Sequence, residues 1–459
     1  MASSRKSPKS NALLAHLTAI LKQHVKRGDR LVAGLSGGVD SVVMLDLLQR
    51  SSKSLHFELA ALHVNHQINP RSGRFAAFCR AFCKSHAIPL TVVRVTVARG
   101  NSLEAAARAA RYQVFRQLPA DFIALAHNLD DQAETVFLQL LRGAGVKGLS
   151  AMPVVRTDAG GRMRAEGHPS SFIHHPSILR PLLEIPRSEI EAYARNHKLE
   201  WIEDDSNTDT AFDRNFVRHR ILPVIAQRYP SYRRTLLRTS RNFAEAAQLL
   251  DELAAADAQL SGPGLKIAAL RAFSPARAKN VVRHFLALHG VLMPNAARLD
   301  ECIRQVLNER SKKRLVIELD GHTLRRFADE LRVVPISRAV ARGFMRRWKG
   351  ETQLHVPELG GTLVLKKCRG GGISLAKLSA QPVSVRVRQG GERFRPHPHR
   401  PRHSLKNLLQ EARVPPWLRD RLPLLFAGDT LVYVPGIGVD CDFQALGRER
   451  GVQPHWQAD

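Results

Sequence analysis

Strand and helix patterns alternate along residues 30–128. Short apolar runs indicate buried strands, and they occupy residues 31–36, 57–64, 90–97 and 121–127. The segments between them carry apolar residues at helical spacing, and they occupy residues 41–50, 73–86 and 102–118. This alternation predicts an α/β fold in which helices flank both faces of a parallel sheet.

The rest of the chain shows other patterns. An amphipathic helix is predicted from Leu13 to Val25, and a Gly-, Arg- and His-rich loop between Met152 and Ile178. A long helical pattern then runs from Pro223 to about Leu260. The predicted domains are a catalytic domain, a helical linker with a first small α+β domain, and a second small α+β domain, at residues 1–225, 226–345 and 346–459.

The net charge of the 459-residue chain is strongly positive, with 70 Lys and Arg against 41 Asp and Glu. Such an excess favours a polyanionic partner, nucleic acid first and an anionic membrane second, although arginines spread over solvated faces would give the same net charge. The positive charge is concentrated at residues 386–421, which contain ten Lys and Arg residues and three Asp and Glu residues. We therefore predict RNA contacts there, with Arg386, Arg388, Arg393 and Lys406 as candidates, whereas Trp417 is expected to pack in the core.

Cysteine usage and hydropathy suggest a cytoplasmic protein. The five cysteines are an odd count and form no CxxC pair, which suits a reducing compartment. No apolar run reaches the ~18 residues that a membrane span needs, so no membrane partner is expected. The basic N-terminal segment MASSRKSPKS is interpreted as a mobile tail, with a transit peptide as the alternative.

The segment SGGVDS follows the first predicted strand, at an edge where ligands of parallel sheets bind. Glycine turns there cradle phosphates with backbone N–H groups, but the lysine of a Walker loop is missing. We predict that Asp40 holds Mg²⁺, which bridges phosphate oxygens. The predicted phosphate-binding residues are Ser36, Gly37, Gly38, Val39, Asp40 and Ser41.

Two further strands end in polar motifs. In HNLDDQAET, the spacing stacks His127, Asp131 and Glu134 on one side of a helix, which indicates either a catalytic group or a capped surface helix. In HVNH, His63 and Asn65 are predicted to lie near the nucleotide, because no cysteine or third histidine has the spacing of a zinc site.

A third candidate is the helix that begins near Ser102, its predicted N-cap. Glu104, Arg108 and Arg111 recur on one face of this helix. That pattern fits phosphate binding and solvated salt bridges about equally well.

Together these motifs resemble the tRNA(Ile)-lysidine synthetase family of PP-loop enzymes, which have a Rossmann-like fold. SGGVDS resembles the PP-loop of N-type ATP pyrophosphatases. The segments at 103–112, 127–149, 180–190, 201–207, 212–223, 385–396 and 403–425 resemble family motifs in the family's order. Within HVNHQINPRS, Gln67 and Asn69-Pro70 depart from the family pattern, residues 240–345 match loosely, and the loop at 156–177 is longer than usual.

The resemblance implies a two-step ligation with ATP and Mg²⁺ as cofactors. O2 of the wobble cytidine of the isoleucine tRNA with a CAU anticodon attacks the α-phosphate, pyrophosphate leaves, and the amine of free L-lysine then displaces AMP. Asp131 and Glu134 are expected to bind the ammonium and take its proton, because a free lysine amine has a pKa of about 10.4.

The remaining roles also follow from the resemblance. Arg108 and Arg111 hold the α-phosphate or the cytidine, and His127 orients the base or the adenylate. Arg214 and Arg218 bind the lysine carboxylate or RNA, or else form a structural salt bridge to Asp204 or Asp205. A homodimer is one option for the assembly.

Three rival functions are weighed against this one. A PP-loop tRNA thiolase is the nearest, but such enzymes tend to need paired catalytic cysteines or a CxxC, and Cys79 and Cys83 are expected to be packed in a helix. A small-molecule PP-loop ligase gives no reason for the net charge of +29. A non-catalytic RNA-binding protein has no need of Asp40, Asp131 and Glu134.

Overall fold

The computed structural model describes residues 8–67, 71–97, 103–157, 175–203, 208–258, 264–308, 315–336, 339–341, 343–399 and 401–458, with the backbone alone for 8–11 and 103–105. Several sequence-based expectations lie outside these residues. They concern most of the N-terminal tail and of the 156–177 loop, Asn69-Pro70, the Ser102 cap, the Glu104 side chain, Asp204 and Asp205.

The chain forms two compact units. The first contains residues 1–162, 173–259 and 269–293, and the second contains residues 163–172, 260–268 and 294–459. The predicted domain boundaries after residues 225 and 345 stay a prediction.

The first unit is built on a six-stranded sheet with the order β3-β2-β1-β4-β6-β5. Every pairing in it is parallel except that of β5 with β6. Its strands are β1 (Arg30–Gly34), β2 (Glu58–Asn65), β3 (Leu90–Arg94), β4 (Phe122–Ala124), β5 (Val155–Arg156) and β6 (Ser177–Leu179). The predicted parallel sheet is confirmed, and the carboxyl ends of β1, β2 and β4 carry the three predicted motifs.

Helices account for most of the first unit and are sparse in the second. In chain order they are α1 (Pro8–His24), α2 (Val39–Leu55), α3 (Ser72–Ser85), α4 (Leu103–Arg116), α5 (Leu129–Leu141), α6 (Val146–Leu149), α7 (Arg187–Asn196), α8 (Asp213–Phe216), α9 (Leu222–Arg228), α10 (Tyr232–Asp257), α11 (Ile267–Ala272), α12 (Pro275–Leu288), α13 (Ala296–Leu307), α14 (Leu375–Ser379), α15 (Leu405–Glu411) and α16 (Pro416–Arg419). The long helix expected from Pro223 is therefore two helices, and Pro230 lies at the break, where its ring cannot continue a helix.

Apolar side chains cover both faces of the sheet. On one face α1, α2, α3 and α7 bury a large cluster that includes Leu17, Leu45 and Ile190. On the other face Phe115 of α4 packs with Ile123 of β4. The expectation of helices on both faces is confirmed. Within the described part of the chain, no helix is long and apolar enough to cross a bilayer.

The second unit contains antiparallel sheets. Its strands are β7 (Leu265–Lys266), β8 (Val316–Leu319), β9 (His322–Phe327), β10 (Glu330–Pro335), β11 (Met345–Arg347), β12 (Gln353–Val356), β13 (Gly361–Arg369), β14 (Ile373–Ser374), β15 (Val383–Arg386), β16 (Arg393–Phe394), β17 (His403–Ser404), β18 (Leu424–Ala427), β19 (Thr430–Val434), β20 (Gly438–Val439) and β21 (Arg450–Ala458). They form sheets ordered β7-β10-β9-β8, β11-β15-β18-β19-β20, β12-β13-β21-β14 and β16-β17. The strand-rich C-terminal part was expected, and this arrangement confirms it.

Candidate active site

The SGGVDS loop connects β1 to α2 and is held by its own side chains. The Ser41 hydroxyl accepts a hydrogen bond from the backbone N–H of Ser36 at 3.2 Å and donates to the carbonyl of Gly38 at 2.9 Å. Gly37 has a φ of +94°, which a residue with a side chain rarely adopts. Its carbonyl accepts from the backbone N–H of Ile202 at 2.9 Å, so the turn is fixed from outside as well.

The N-terminus of α2 is left open towards an anion. Its N-cap is Gly38, which has no side chain to cap the helix. The first N–H groups of a helix lack intrahelical acceptors, and the dipole of this 17-residue helix favours negative charge at that end. The loop therefore has the geometry of a phosphate cradle.

Asp40 joins this loop to the second motif. Its Oδ1 accepts a hydrogen bond from Nδ2 of Asn128 at 3.0 Å. Burial raises the pKa of Asp40 above its ordinary value, and the nearby Asp131 raises it further, whereas Arg187 lowers it. An acid whose charge is disfavoured in this way is suited to receive a cation.

The second motif begins α5 with a reciprocal cap. Asn128 Oδ1 accepts from the backbone N–H of Asp131 at 3.0 Å, and Asp131 Oδ2 accepts from the backbone N–H of Asn128 at 3.0 Å. This capping box fixes the direction in which the Asp131 carboxylate points. The capped-helix interpretation is therefore confirmed at Asp131, and its carboxylate also lies near Asp40 of the loop, whereas its catalytic role stays a prediction.

Two arginines hold the acidic pair. Arg214 Nε donates to Glu134 Oε2 at 2.7 Å, and its Nη2 donates to Asp131 Oδ1 at 2.9 Å. Arg218 Nε donates to Glu134 Oε1 at 2.6 Å, and its Nη2 donates to Asp131 Oδ1 at 3.1 Å. The Glu134 side chain is only 1% exposed, whereas that of Asp131 is 17% exposed. Arg214 and Arg218 thus pair with the acids of α5.

A single turn of π-helix, Val217–Ile221, lies between α8 and α9 and carries Arg218. Such turns are rare and occur often at functional sites. They widen the helix, which changes the angle at which side chains on either side leave it. Here Arg214 lies before the turn and Arg218 within it, and both reach the same two carboxylates.

His127 lies between the end of β4 and the cap of α5. Burial lowers its pKa to about 3, and the fields of Arg180, Arg214 and Arg111 act in the same direction against that of Asp131. The imidazole is therefore neutral at physiological pH. Its Nδ1 is buried and has no hydrogen-bond partner among the described residues.

His63 and Asn65 support the loop from β2. His63 Nδ1 lies 2.9 Å from the carbonyl of Leu35, directly before the phosphate loop. Asn65 donates to the carbonyl of Ser72 at 3.4 Å and accepts from the N–H of Gln67 at 2.9 Å. The two residues lie beside the predicted nucleotide site, where they order the backbone around it.

Comparison with known proteins gives a consistent result. Family models match at residues 10–225 for the PP-loop domain, 265–332 for the TilS substrate binding domain and 383–456 for the TilS substrate C-terminal domain. The chain is 46% identical to the tRNA(Ile)-lysidine synthase of Nitrosomonas europaea, over 95% of this chain and 93% of that protein. It is 37% identical to that of Coxiella burnetii, over 91% and 92%. The chain belongs to the tRNA(Ile)-lysidine synthase family.

A solved structure of a U34-tRNA thiolase from Methanococcus maripaludis aligns with a TM-score of 0.43 at 19% identity, over 52% of this chain and 79% of that one. The cysteines of this lysidine synthase family member argue against the thiolase alternative. Cys79 and Cys83 are buried in α3, and burial raises their pKa values to about 12 and about 11, so neither is a ready nucleophile.

Arg108 and Arg111 of this lysidine synthase family member lie on α4, as predicted, together with Tyr112. The Arg108 guanidinium lies 5.4 Å from the centre of the Tyr112 ring. Arg111 contributes to the positive field at His127. Arg111 therefore lies near His127, and Arg108 lies over the ring of Tyr112.

Sequence reasoning missed four arginines of the site. Arg187 acts on the charge of Asp40, and its backbone N–H donates to Asp130 at 2.9 Å. Arg233 pairs with the Asp130 carboxylate. Arg180 and Arg156 surround Tyr112. Arg180 and Arg187 lie in the family-like segment RPLLEIPR, which was the available signal, whereas Arg156 and Arg233 carry no motif of their own.

The predicted tRNA contacts differ in how freely they are exposed. Arg386 is engaged by its own unit, because it donates to the Gly428 carbonyl at 2.7 Å and lies over the Phe426 ring. Arg388 lies 3.8 Å from Glu392. Arg393 and Lys406 are exposed. Trp417, which was expected in the core, is partly exposed and lies against Phe327 and under Arg325.

Proposed function

We propose that this protein is an ATP-dependent ligase that joins L-lysine to C2 of the wobble cytidine of the isoleucine tRNA with a CAU anticodon. The reaction changes the codon and amino-acid identity of that tRNA from methionine to isoleucine. The hydrogen bond from Asn128 to Asp40 carries the proposal, since it joins a phosphate loop and an acidic helix into one site. The similarity to tRNA(Ile)-lysidine synthases along nearly the whole chain supports it.

In the first step, the cytidine O2 attacks the α-phosphate and pyrophosphate leaves. The N–H groups at the start of α2 stabilise the negative charge that develops on the leaving group. Arg111, whose field reaches His127, neutralises charge on the α-phosphate. His127 is neutral, so it positions the base or the adenylate by hydrogen bonding and adds no charge of its own.

Magnesium fits the loop if phosphate oxygens complete its coordination. Among the described residues, no group of three His, Cys, Asp or Glu side chains could form an all-protein metal site. Mg²⁺ is usually held by one or two carboxylates with substrate phosphates and waters, and a buried acid such as Asp40 suits that arrangement. Bound there, the ion would neutralise charge on the phosphates.

In the second step, the lysine amine displaces AMP. The amine must first lose a proton, and Asp131 is better placed than Glu134 to accept it. Both oxygens of Glu134 are held by guanidinium groups and its side chain is 1% exposed. Asp131 is more exposed, and its Oδ1 is shared by Arg214 and Arg218, one of which must shift to admit the ammonium.

The exposed basic residues of the second unit are proposed to bind the tRNA outside its anticodon. Such contacts are needed because a methionine tRNA has the same anticodon. Free L-lysine is the second substrate, and the cytoplasm is the proposed location. A homodimer stays a proposal that sedimentation velocity tests.

The test is incubation with ATP, labelled L-lysine and a transcript of the CAU isoleucine tRNA. Label in the RNA, with AMP and pyrophosphate in equal amounts, is expected, and the CAU methionine tRNA should stay unlabelled. Release of ADP, or release of AMP and pyrophosphate without label in the RNA, would contradict the proposal. The Asp40→Ala variant is the matched control and should release no pyrophosphate.

A further inference from the structure

A cluster of arginines surrounds Tyr112 of α4. The Arg156 guanidinium lies 4.8 Å from the centre of the tyrosine ring, and that of Arg108 lies 5.4 Å from it. Burial acts to raise the pKa of Tyr112, but the fields of Arg108, Arg156, Arg180 and Arg111 lower it below its ordinary value. Among the described residues, the charged groups that act most strongly on this phenol are therefore arginines.

Arg180 is the buried member of the cluster. It follows β6 directly, is 1% exposed, and donates from Nη1 to the Pro153 carbonyl at 2.8 Å. Its Nε is buried and has no hydrogen-bond partner among the described residues. Among the described residues, Tyr112 forms a side-chain hydrogen bond with Arg180 and favours its charge, whereas Arg156 and Arg108 oppose that charge. A buried cation beside two other cations is costly, and a bound anion relieves that cost.

The position of the cluster separates it from the phosphate loop. Arg156 lies on β5, at the edge of the sheet, and the strand order places it three strands from β1. Neighbouring strands are about 4.8 Å apart, so this distance is roughly 14 Å. Since the loop that receives pyrophosphate follows β1, an anion at Tyr112 is not the pyrophosphate group.

We infer that Arg156 and Arg108, stacked over Tyr112 with Arg180 behind them, bind a phosphate-ester oxyanion beside the reaction site. Planar guanidinium groups suit the oxygens of a phosphate, and Arg108 is exposed enough to meet one. The ligand is the RNA backbone phosphate next to the target cytidine, and the α-phosphate of ATP has the same chemistry. This inference rests on the proposed function, because it takes RNA as the substrate.

The test compares full-length wild type with Arg156→Gln, Arg156→Lys and a matched control, Arg195→Gln. Arg195 is a 62% exposed arginine of the same unit, on α7, so its loss removes one charge without touching the cluster. Tryptophan fluorescence and thermal melting establish that each variant is folded. The measurements are the Kd for the tRNA transcript at several salt concentrations and the KM for ATP in pyrophosphate release.

For an RNA phosphate, Arg156→Gln raises the Kd about tenfold and reduces the salt slope by about 0.7–0.9, with the KM for ATP unchanged. Arg156→Lys restores the salt slope but only part of the affinity, because lysine restores the charge without the planar guanidinium group. An increase in KM for ATP with an unchanged salt slope supports the anion site and assigns it to the nucleotide. A Kd, slope and KM equal to those of Arg195→Gln would overturn the inference.

The same measurements distinguish a failure of the proposed function from a failure of this inference. If wild type binds the tRNA but incorporates no lysine, the function is wrong whatever the Arg156 variants do. If wild type incorporates lysine and Arg156→Gln behaves as the control, only the phosphate site is wrong.

Discussion

Asn128 donates a hydrogen bond to Asp40 at 3.0 Å across 88 positions of the sequence. The other end of the same amide, Oδ1, accepts from the backbone N–H of Asp131 and begins α5. One side chain therefore orients the carboxylate of the phosphate loop and the helix that carries the acidic pair. Its two functions can be separated by substitution.

Asn128→Ser should keep the cap and lose the contact with Asp40. Serine caps helices about as well as asparagine, so the free energy of unfolding in urea should change by less than about 0.5 kcal/mol. The shorter side chain does not reach Asp40, and pyrophosphate release should fall by roughly tenfold or more. Asn128→Ala is the comparison, because it also loses the cap and about 0.5–2 kcal/mol of stability. Wild-type turnover by Asn128→Ser would exclude a role for this contact.

Asp40→Asn should be inactive but more stable than wild type near neutral pH. Burial raises the pKa of Asp40 in the folded protein, so its charge opposes folding at any pH where the carboxylate is ionised. Asparagine removes the charge and keeps an oxygen that can accept from Asn128. The gain should disappear as the pH falls through the titration range of the acid. Melting temperatures at two pH values and a pyrophosphate assay measure both effects, and a less stable variant at neutral pH would contradict this account.

Arg218→Ala should destabilise the protein strongly, because Glu134 is buried and loses one of the two guanidinium groups that hold its carboxylate. Removing one partner of a buried ion pair costs about 3–5 kcal/mol, and Arg214 should compensate for part of that. Glu134→Gln in the Arg218→Ala background removes the uncompensated charge and should recover some stability. Urea unfolding of the two single variants and the double variant gives the coupling energy. Strictly additive effects would mean that the pair is not coupled.

Because of the buried His127, the protein should become less stable in mild acid. Its pKa is about 3 in the folded protein against 6.5 as its ordinary value. Between these values the unfolded chain binds a proton that the folded protein does not, so stability falls as the pH drops below about 6.5. Between pH 7 and pH 5 this group should lower the free energy of unfolding by about 2 kcal/mol. The loss is about 1.4 kcal/mol per pH unit once the unfolded histidine is fully protonated. In His127→Asn the pH dependence of unfolding should be weaker by that amount, and an identical dependence would show that the histidine titrates normally.

The basic residues of the second unit should separate into two classes. Lys406→Ala and Arg393→Ala should weaken tRNA binding and reduce its salt slope by about one each, because these side chains are exposed. Arg386→Ala should lower the melting temperature without changing the slope, since its guanidinium is bonded to Gly428 and stacked on Phe426. A reduced salt slope for Arg386→Ala would assign it to the RNA instead.

The sequence determined the fold of the first unit and the chemistry of its loop. Periodicity alone placed four parallel strands and the helices between them, because strand and helix have different repeats and each segment buries one face. Local geometry also favours the positive φ of Gly37 and the cap at Asn128, because both depend on neighbouring residues, although the Gly37 turn is held by Ile202 as well. The motifs at the strand ends converged because carboxyl ends of parallel strands share one edge.

Only the tertiary structure decided which charges pair. Asp131 and Glu134 are 80 or more positions from Arg214, and nothing in the local pattern favoured that pairing over Asp204 or Asp205. Arg156 and Arg180 likewise meet Tyr112 only because β5 and β6 form the sheet edge next to α4. Coulomb energies depend on distance and burial in the folded protein, and the sequence sets the charges without setting either.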